Sequence, residues 1–302
     1  MTLKPTGNTS KAKANTIFKV TEPIGLLKFL ILNLPGKSRN TVKSLLAHRQ
    51  VWVGKQIETQ FDFPLLAGNE VSVSAERPAE ETRYRGLRIL FEDSSVIVIE
   101  KEAGLLSIAS AKDSIHTAYS ILSNHVKLEN PQNRIFIVHR LDRDTSGVMM
   151  FAKSEKVQTI LQKDWQENVS ERTYVAIVEG RVENDKETIR SFLKENKAMI
   201  VYSTMDSENG DEAITHYKVL KRKEQYSLLE VELETGRKNQ IRVHMKDIGH
   251  SVVGDEKYGS KTDSLGRMGL HARVLAFKHP LTGKTCRFET AIPARFSRLM
   301  EG

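Results

Sequence analysis

The stretch that decides the fold is His139-Arg140-Leu141-Asp142-Arg143-Asp144-Thr145-Ser146-Gly147, held between Ile135-Phe136-Ile137-Val138 and Val148-Met149-Met150-Phe151-Ala152. Both flanks are short and rich in β-branched or aromatic residues, so they read as strands. Between them, five ionisable side chains in nine residues end in Thr, Ser and Gly. Turn chemistry accounts for that end. It does not account for cations gathered around two carboxylates at the mouth of a sheet. Solvated ion pairs on a polar hairpin would have this composition. A reactive carboxylate would have it too, because neighbouring cations set its position and charge state.

The surrounding chain has 302 residues, 39% hydrophobic and 28% charged, which is long enough for two domains. A net charge of +8 and a pI near 9.4 favour a polyanionic partner. The single cysteine, Cys286, allows no internal disulfide, and a reducing compartment is expected. Residues 1–15 carry three lysines, no acid and no apolar core, so they read as a disordered basic tail and not as a signal peptide. No apolar run approaches the length of a membrane span. The expected location is the cytoplasm, with no membrane partner.

Residues 16–76 form one unit. Leu26, Leu27, Leu30 and Leu34 lie at helical spacing before Pro35-Gly36, and Ser38 can cap a second helix that turns Val42, Leu45 and Leu46 inward. Strand-like Val51-Trp52-Val53 and Val71-Ser72-Val73 follow. Lys28, Lys37, Arg39, Lys43, His48 and Arg49 fall on or beside the two helices, as a solvated basic face or as an RNA contact. Residues 77–86 have no apolar periodicity and read as a linker. Residues 87–302 form the second domain. Strands are read at Leu87–Phe91, Val96–Glu100, Glu171–Val178, Ala213–Leu220 and Leu228–Glu234. Helices are marked by Val157, Ile160, Leu161 and Trp165 after Ser154, and by Ile241, His244, Met245 and Ile248. Strands with few helices indicate an α+β fold, not a doubly wound sheet.

His139 to Gly147 resembles the signature of the RluA/RluD-type pseudouridine synthases, in which the aspartate at the position of Asp142 is catalytic. Further strings match in order over about residues 85 to 298: Leu87–Asp93 with Lys101-Glu-Ala-Gly-Leu105; Glu171-Arg-Thr-Tyr174; Thr235-Gly-Arg-Lys-Asn-Gln240-Ile-Arg242-Val-His244; then Gly254-Asp255-x-x-Tyr258-Gly259, Leu270-His271-Ala272 and His279-Pro280-Leu-Thr-Gly283. The chain departs from the family pattern at Glu102, where proline is usual, and at Lys238-Asn239, where Thr or Ser and His are usual. The order helix, Pro-Gly, Ser-Arg, helix, Val-x-Val in the first unit resembles an S4 RNA-binding domain, with Gly54-Lys55 where Asn-Gly is usual. A kinase catalytic loop, H-R-D-L-x-x-x-N, is the nearest other string. Here the order is H-R-L-D, no Asn follows at that spacing, and no D-F-G or glycine-rich phosphate loop accompanies it.

The resemblance implies a mixed, mainly antiparallel sheet crossed by a central cleft, preceded by the small S4-like α/β module. It implies an RNA pseudouridine synthase with Asp142, Tyr174 and Arg242 as catalytic residues. Arg140, Gln240, Lys37, Arg39 and Lys43 would meet substrate RNA. The expected substrate is large-subunit ribosomal RNA; transfer RNA, and a non-catalytic RNA-binding assembly factor of the same fold, are the alternatives. The isomerisation takes nothing from outside, so no cofactor is expected, and a monomer is expected. Residue chemistry agrees. A carboxylate in an apolar pocket needs a cation beside it, and arginine suits because its planar fork can hold a carboxylate bidentately and does not lose its proton. Tyr174 offers a face for stacking and a phenol for hydrogen bonding. Arg140 would point to the same side as Asp142 along an extended backbone. The histidines lack zinc-ligand spacing and arginines flank Asp142-x-Asp144, so no metal is expected.

Overall fold

A computed structural model describes residues 16–47, 50–54, 56–58, 61–73, 83–109 and 116–301. The tail expected at 1–15, His48, Arg49 and residues 77–82 of the expected linker lie outside the described residues. The chain divides into two units, 1–81 and 82–302.

The first unit comprises β1 (Thr16–Lys19), β2 (Ile24–Gly25), α1 (Leu26–Asn33), α2 (Arg39–Ala47), β3 (Val51–Val53), β4 (Gln56–Ile57), β5 (Pro64–Leu65) and β6 (Glu70–Val73). α1 follows from its leucine spacing: Leu26, Leu27 and Leu30 are buried with Phe29. Ser38 accepts a hydrogen bond from Thr41 N at 3.2 Å ahead of α2, as its position suggests. Val42 and Leu46 of α2 then meet Val51, Leu65 and Val71 in one apolar core. The strands form an antiparallel sheet in the order β1-β6-β3-β4, with β2 and β5 paired separately.

The second unit begins with β7 (Arg83–Tyr84), β8 (Leu87–Glu92), β9 (Val96–Lys101), α3 (Ala118–Glu129), β10 (Phe136–Ile137), β11 (Ser146–Ala152), α4 (Glu155–Lys163) and α5 (Trp165–Asn168). It continues through β12 (Val169–Glu179), β13 (Lys186–Glu195), β14 (Val201–Thr204), β15 (Asp211–Arg222), β16 (Tyr226–Leu233), α6 (Gln240–Asp247), a 3-10 turn at Glu256–Tyr258, β17 (Leu270–Lys278), β18 (Thr285–Glu289) and α7 (Ala294–Glu301). The fold is α+β. Its large sheet runs β14-β13-β15-β16-β12-β17-β11-β9-β8-β7, with β10 added on β11 and β18 on β17. Among the pairings described, β11 with β17 is parallel and the others are antiparallel.

Two expectations are corrected. The linker does not extend to residue 86, because Arg83–Tyr84 pair with Arg88 and Leu87 as a hairpin. Gly86, at φ +91°, supplies the turn, and the Tyr84 phenol meets His125 Nδ1 at 2.8 Å. The helix after Ser154 does not run on through Trp165; it stops at Asp164 and restarts as α5.

Every residue of β11 is buried. Met149 and Phe151 pack with Leu122 and Val126 of α3, while Val148, Met150 and Ala152 pack with Val157 and Leu161 of α4. β12 divides in the same way: Val175 and Ile177 meet Phe296 and Met300 of α7, and Ala176 and Val178 meet Ile241 and Met245 of α6. Each fully buried aliphatic or aromatic side chain contributes about 1.5–3 kcal/mol, so the two central strands are fixed from both faces. That double packing gives the sheet the rigidity a site needs. Among the described residues no helix is long and apolar enough to cross a membrane.

Candidate active site

The charged segment leads directly into the parallel junction. Ser146 and Gly147 of β11 lie opposite His271 and Ala272 of β17. Gly147 adopts φ +120°, and a Cβ there would lie 2.0 Å from the Ala272 carbonyl oxygen. The glycine of the motif is therefore demanded by a close approach of two backbones. Beside it, Ser146 Oγ meets His271 Nδ1 at 2.7 Å and accepts from Arg267 Nη2 at 2.8 Å.

Asp142 is held by its neighbours on both sides. Ser107 Oγ donates to the Leu141 carbonyl at 2.6 Å and accepts from Leu141 N at 3.2 Å. Lys101, fully buried, donates from Nζ to the carbonyls of Glu102, Leu105 and Arg143 at 3.0, 2.8 and 2.9 Å. Burial pushes that ammonium down to about 7, while Asp144 and Asp142 oppose the shift. Gly104 N adds a bond to the Arg143 carbonyl at 2.9 Å. Glu102 has a local reason here: its N–H donates to the Gly86 carbonyl at 2.8 Å, which proline could not do.

Opposite this loop stands Arg242, in the first turn of α6. Its Nη1 donates to Asp142 Oδ2 at 2.9 Å, while Nε and Nη2 grip Asp255 at 2.6 and 2.7 Å. The bidentate fork is thus spent on Asp255, whose side chain is 1% exposed, and a single arm reaches Asp142, whose side chain is 31% exposed. Burial alone would depress Arg242; the hydrogen bonds and charges of Asp255 and then Asp142 hold it above its ordinary range. The guanidinium also lies 4.8 Å from the Tyr258 ring centroid.

A cleft opens beside Asp142, lined among others by Arg140, Tyr174, Leu233, Arg237 and Leu270. Tyr174 comes from β12 and packs between two apolar clusters; burial pushes its phenol up to about 12. It therefore stays protonated at neutral pH and offers a ring face and an O–H donor. Arg140 is exposed on the same cleft. Gln240, expected to meet RNA, is 2% exposed. Its Oε1 accepts from Thr235 Oγ1 and Arg237 N, and its Nε2 donates to the Ile214 carbonyl and Thr215 Oγ1, all between 2.9 and 3.0 Å. It holds the turn that starts α6. Lys37, Arg39 and Lys43 are exposed in the first unit, with Lys43 Nζ 5.9 Å from the Phe61 ring centroid.

Asp255, Tyr258 and Asn239 complete the site, and their sequence pattern alone gives them no role. The string Gly254-Asp255-x-x-Tyr258-Gly259 carried the signal, but spacing along a chain does not say which charge faces which. Among the described residues no group of acids, histidines and cysteine is placed to hold a metal.

The family profile described as RNA pseudouridylate synthase matches residues 95–247. The uncharacterised RNA pseudouridine synthase YhcT of Bacillus subtilis is 32% identical over 267 residues, covering 87% of this chain and 88% of that protein. The ribosomal large subunit pseudouridine synthase D of Neisseria meningitidis serogroup B is 34% identical over 277 residues, covering 86% of this chain and 73% of that protein. The solved structure of human RNA pseudouridylate synthase domain containing 4 superposes with a TM-score of 0.57 at 23% identity, covering 70% of this chain and 90% of that one, a likeness of fold. By these matches the chain belongs to the RNA pseudouridine synthase family and is an isomerase acting on RNA.

Proposed function

We propose that the enzyme converts uridine to pseudouridine in large-subunit ribosomal RNA, with Asp142 as its catalytic carboxylate. One observation carries the site reading: the Arg242 guanidinium, fixed by buried Asp255, turns its remaining arm to a half-exposed Asp142 at the edge of the cleft. A preorganised cation beside a carboxylate that is open to a ligand is what charge-dependent chemistry requires. In the isomerisation the N1–C1′ bond breaks, the uracil turns and C5 bonds to C1′. The proton displaced from C5 is balanced by the one N1 takes up, so no outside group enters. Asp142 acts as nucleophile or base at the sugar or the ring. Tyr174 supplies the face against which the uracil stacks, and its protonated phenol donates a hydrogen bond.

A target base buried in RNA must be flipped out of its stack, at a cost of a few kcal/mol. Exposed Arg140 is suited to fill the space it leaves. The basic face carrying Lys37, Arg39 and Lys43, read as an S4-like module, supplies phosphate binding that offsets the cost. The ribosomal target is favoured by the likeness to the Neisseria large-subunit enzyme over most of the chain. Pseudouridine mapping of total RNA with and without the gene tests it. One or more large-subunit positions should lose the modification, and losses confined to transfer RNA would refute that target. Asp142→Asn should abolish isomerisation with RNA affinity kept within a few-fold, since it preserves volume and removes the charge. Turnover by this variant near the wild-type rate would remove Asp142 from the chemistry.

A further inference from the structure

Arg242 has five N–H groups and only one arm on Asp142, so its aim depends on what holds the rest. Asn239 Oδ1 accepts from Nη1 at 3.2 Å, the same nitrogen that donates to Asp142. Asn239 Nδ2 donates to Tyr258 Oη at 2.9 Å, and that phenol oxygen accepts in turn from Val201 N at 3.2 Å. The amide can be oriented in one way only. A guanidinium has no acceptor, so the carbonyl must face it and the NH₂ must face the phenol. Asp255 grips Nε and Nη2, and Asn239 adds the contact on the one nitrogen that faces Asp142.

The backbone makes the same demand. Asn239 is the N-cap of α6 at φ +56°, ψ 17°, left-handed space that Asn enters more readily than most side chains. Val243 N reaches the Asn239 carbonyl at 3.0 Å, so one residue both starts the helix that carries Arg242 and fixes that arginine's outer nitrogen. Asn239 also lies on the wall of the cleft. Its carbonyl is neutral, so it satisfies Nη1 without drawing the cation's charge from Asp142 as a carboxylate would.

We propose that Asn239 is a positioning residue: its side-chain carbonyl sets the direction in which Arg242 Nη1 faces Asp142, with Tyr258 and the Val201 amide as backstop. This rests on the reading of Asp142 and Arg242 as the reactive pair.

The test compares three full-length variants under saturating and limiting RNA. Asn239→Gly removes the side chain and is at ease at φ +56°. It should keep its fold and its KM within about twofold while kcat falls roughly tenfold, because an interaction made in the transition state is loosened. Asn239→His also tolerates left-handed backbone and puts a neutral ring nitrogen near the same place. It should recover most of the lost kcat. Asp142→Asn is run in parallel. If it turns over, the reading of the pair fails. If it is dead and Asn239→Gly retains kcat within twofold, or loses only KM, or is not improved upon by Asn239→His, the positioning role fails by itself.

Discussion

At the scale of single residues, Arg242 and Gly147 show two kinds of necessity. Arg242→Met removes the partner of Asp255, whose carboxylate has 1% of its side-chain surface exposed. An uncompensated buried charge costs about 3–5 kcal/mol, so the variant should lose that much in urea unfolding as well as its activity. An equally stable variant would mean that Asp255 finds another partner. Gly147→Ala should be at least as damaging, about 3 kcal/mol or more, because the new Cβ meets the Ala272 carbonyl oxygen 2.0 Å away and the backbone stays at φ +120°. A denaturation midpoint unchanged from wild type would show that the two strands can move apart at no cost. The Asp142–Arg242 pair was legible because both residues stand in strings specific to one family. The division of the guanidinium was not. Sequence suggested a bidentate hold on Asp142, whereas the two-toothed grip goes to Asp255 and one tooth to Asp142. Gln240 is a related case: a polar residue in a motif looks outward on paper, and only folding brings Thr235, Arg237, Ile214 and Thr215 around its amide at the wall of the cleft.

At the scale of elements, the parallel contact of β11 with β17 carries the site. His271 sits at that junction, 1% exposed, with Ser146 on one ring nitrogen at 2.7 Å and Thr290 on the other at 2.9 Å. Burial pushes it down to about 4, with Arg267 and Arg273 acting in the same direction. The folded chain keeps this ring neutral, while the unfolded chain protonates it near its ordinary value of 6.5. Its contribution is therefore complete above about pH 6.5 and is lost as pH falls through about 4. Between pH 7 and pH 5 the wild type should lose on the order of 2 kcal/mol of unfolding free energy that His271→Gln does not lose. Equal losses in the two proteins would mean that the junction admits the charged ring. Strands rich in β-branched and aromatic residues, such as β12 and β15, could be read from sequence. β17 could not, since nearly all of Leu270–Lys278 is buried and a continuous apolar run does not separate strand from helix. β13 failed in the opposite way: of Lys186–Glu195 only Leu193 is buried, so the strand has almost no apolar face to announce it.

For the whole molecule, the division into units at residues 81 and 82 lets a contribution of the first unit to RNA binding be tested apart from the second. Among the described residues, the first unit has its own core around Leu26, Leu30, Val42, Leu46 and Val71, and the second has five other clusters of buried apolar residues. Helix spacing and Val-x-Val strands made the small unit legible, although its sheet order was not, because pairing between short strands leaves no trace in local pattern. Removing residues 1–81 should leave a folded domain with β7 intact, since Arg83–Tyr84 pair with Arg88 and Leu87 inside the second unit. The consequence for RNA follows from counterion release. Each phosphate neutralised by a lysine or arginine steepens the fall of log affinity with log salt by about 0.7 to 0.9. If exposed Lys37, Arg39 and Lys43 touch phosphates, the truncated protein binds more weakly and its salt slope is shallower by about two to three. Lys37→Ala, Arg39→Ala and Lys43→Ala combined in the full chain should give much of the same change without altering the fold, because all three side chains are exposed. Filter binding of ribosomal RNA between 50 and 300 mM salt distinguishes the outcomes. Equal slopes for the full and truncated proteins would show that the first unit makes no phosphate contacts, and the triple variant would then bind as wild type does.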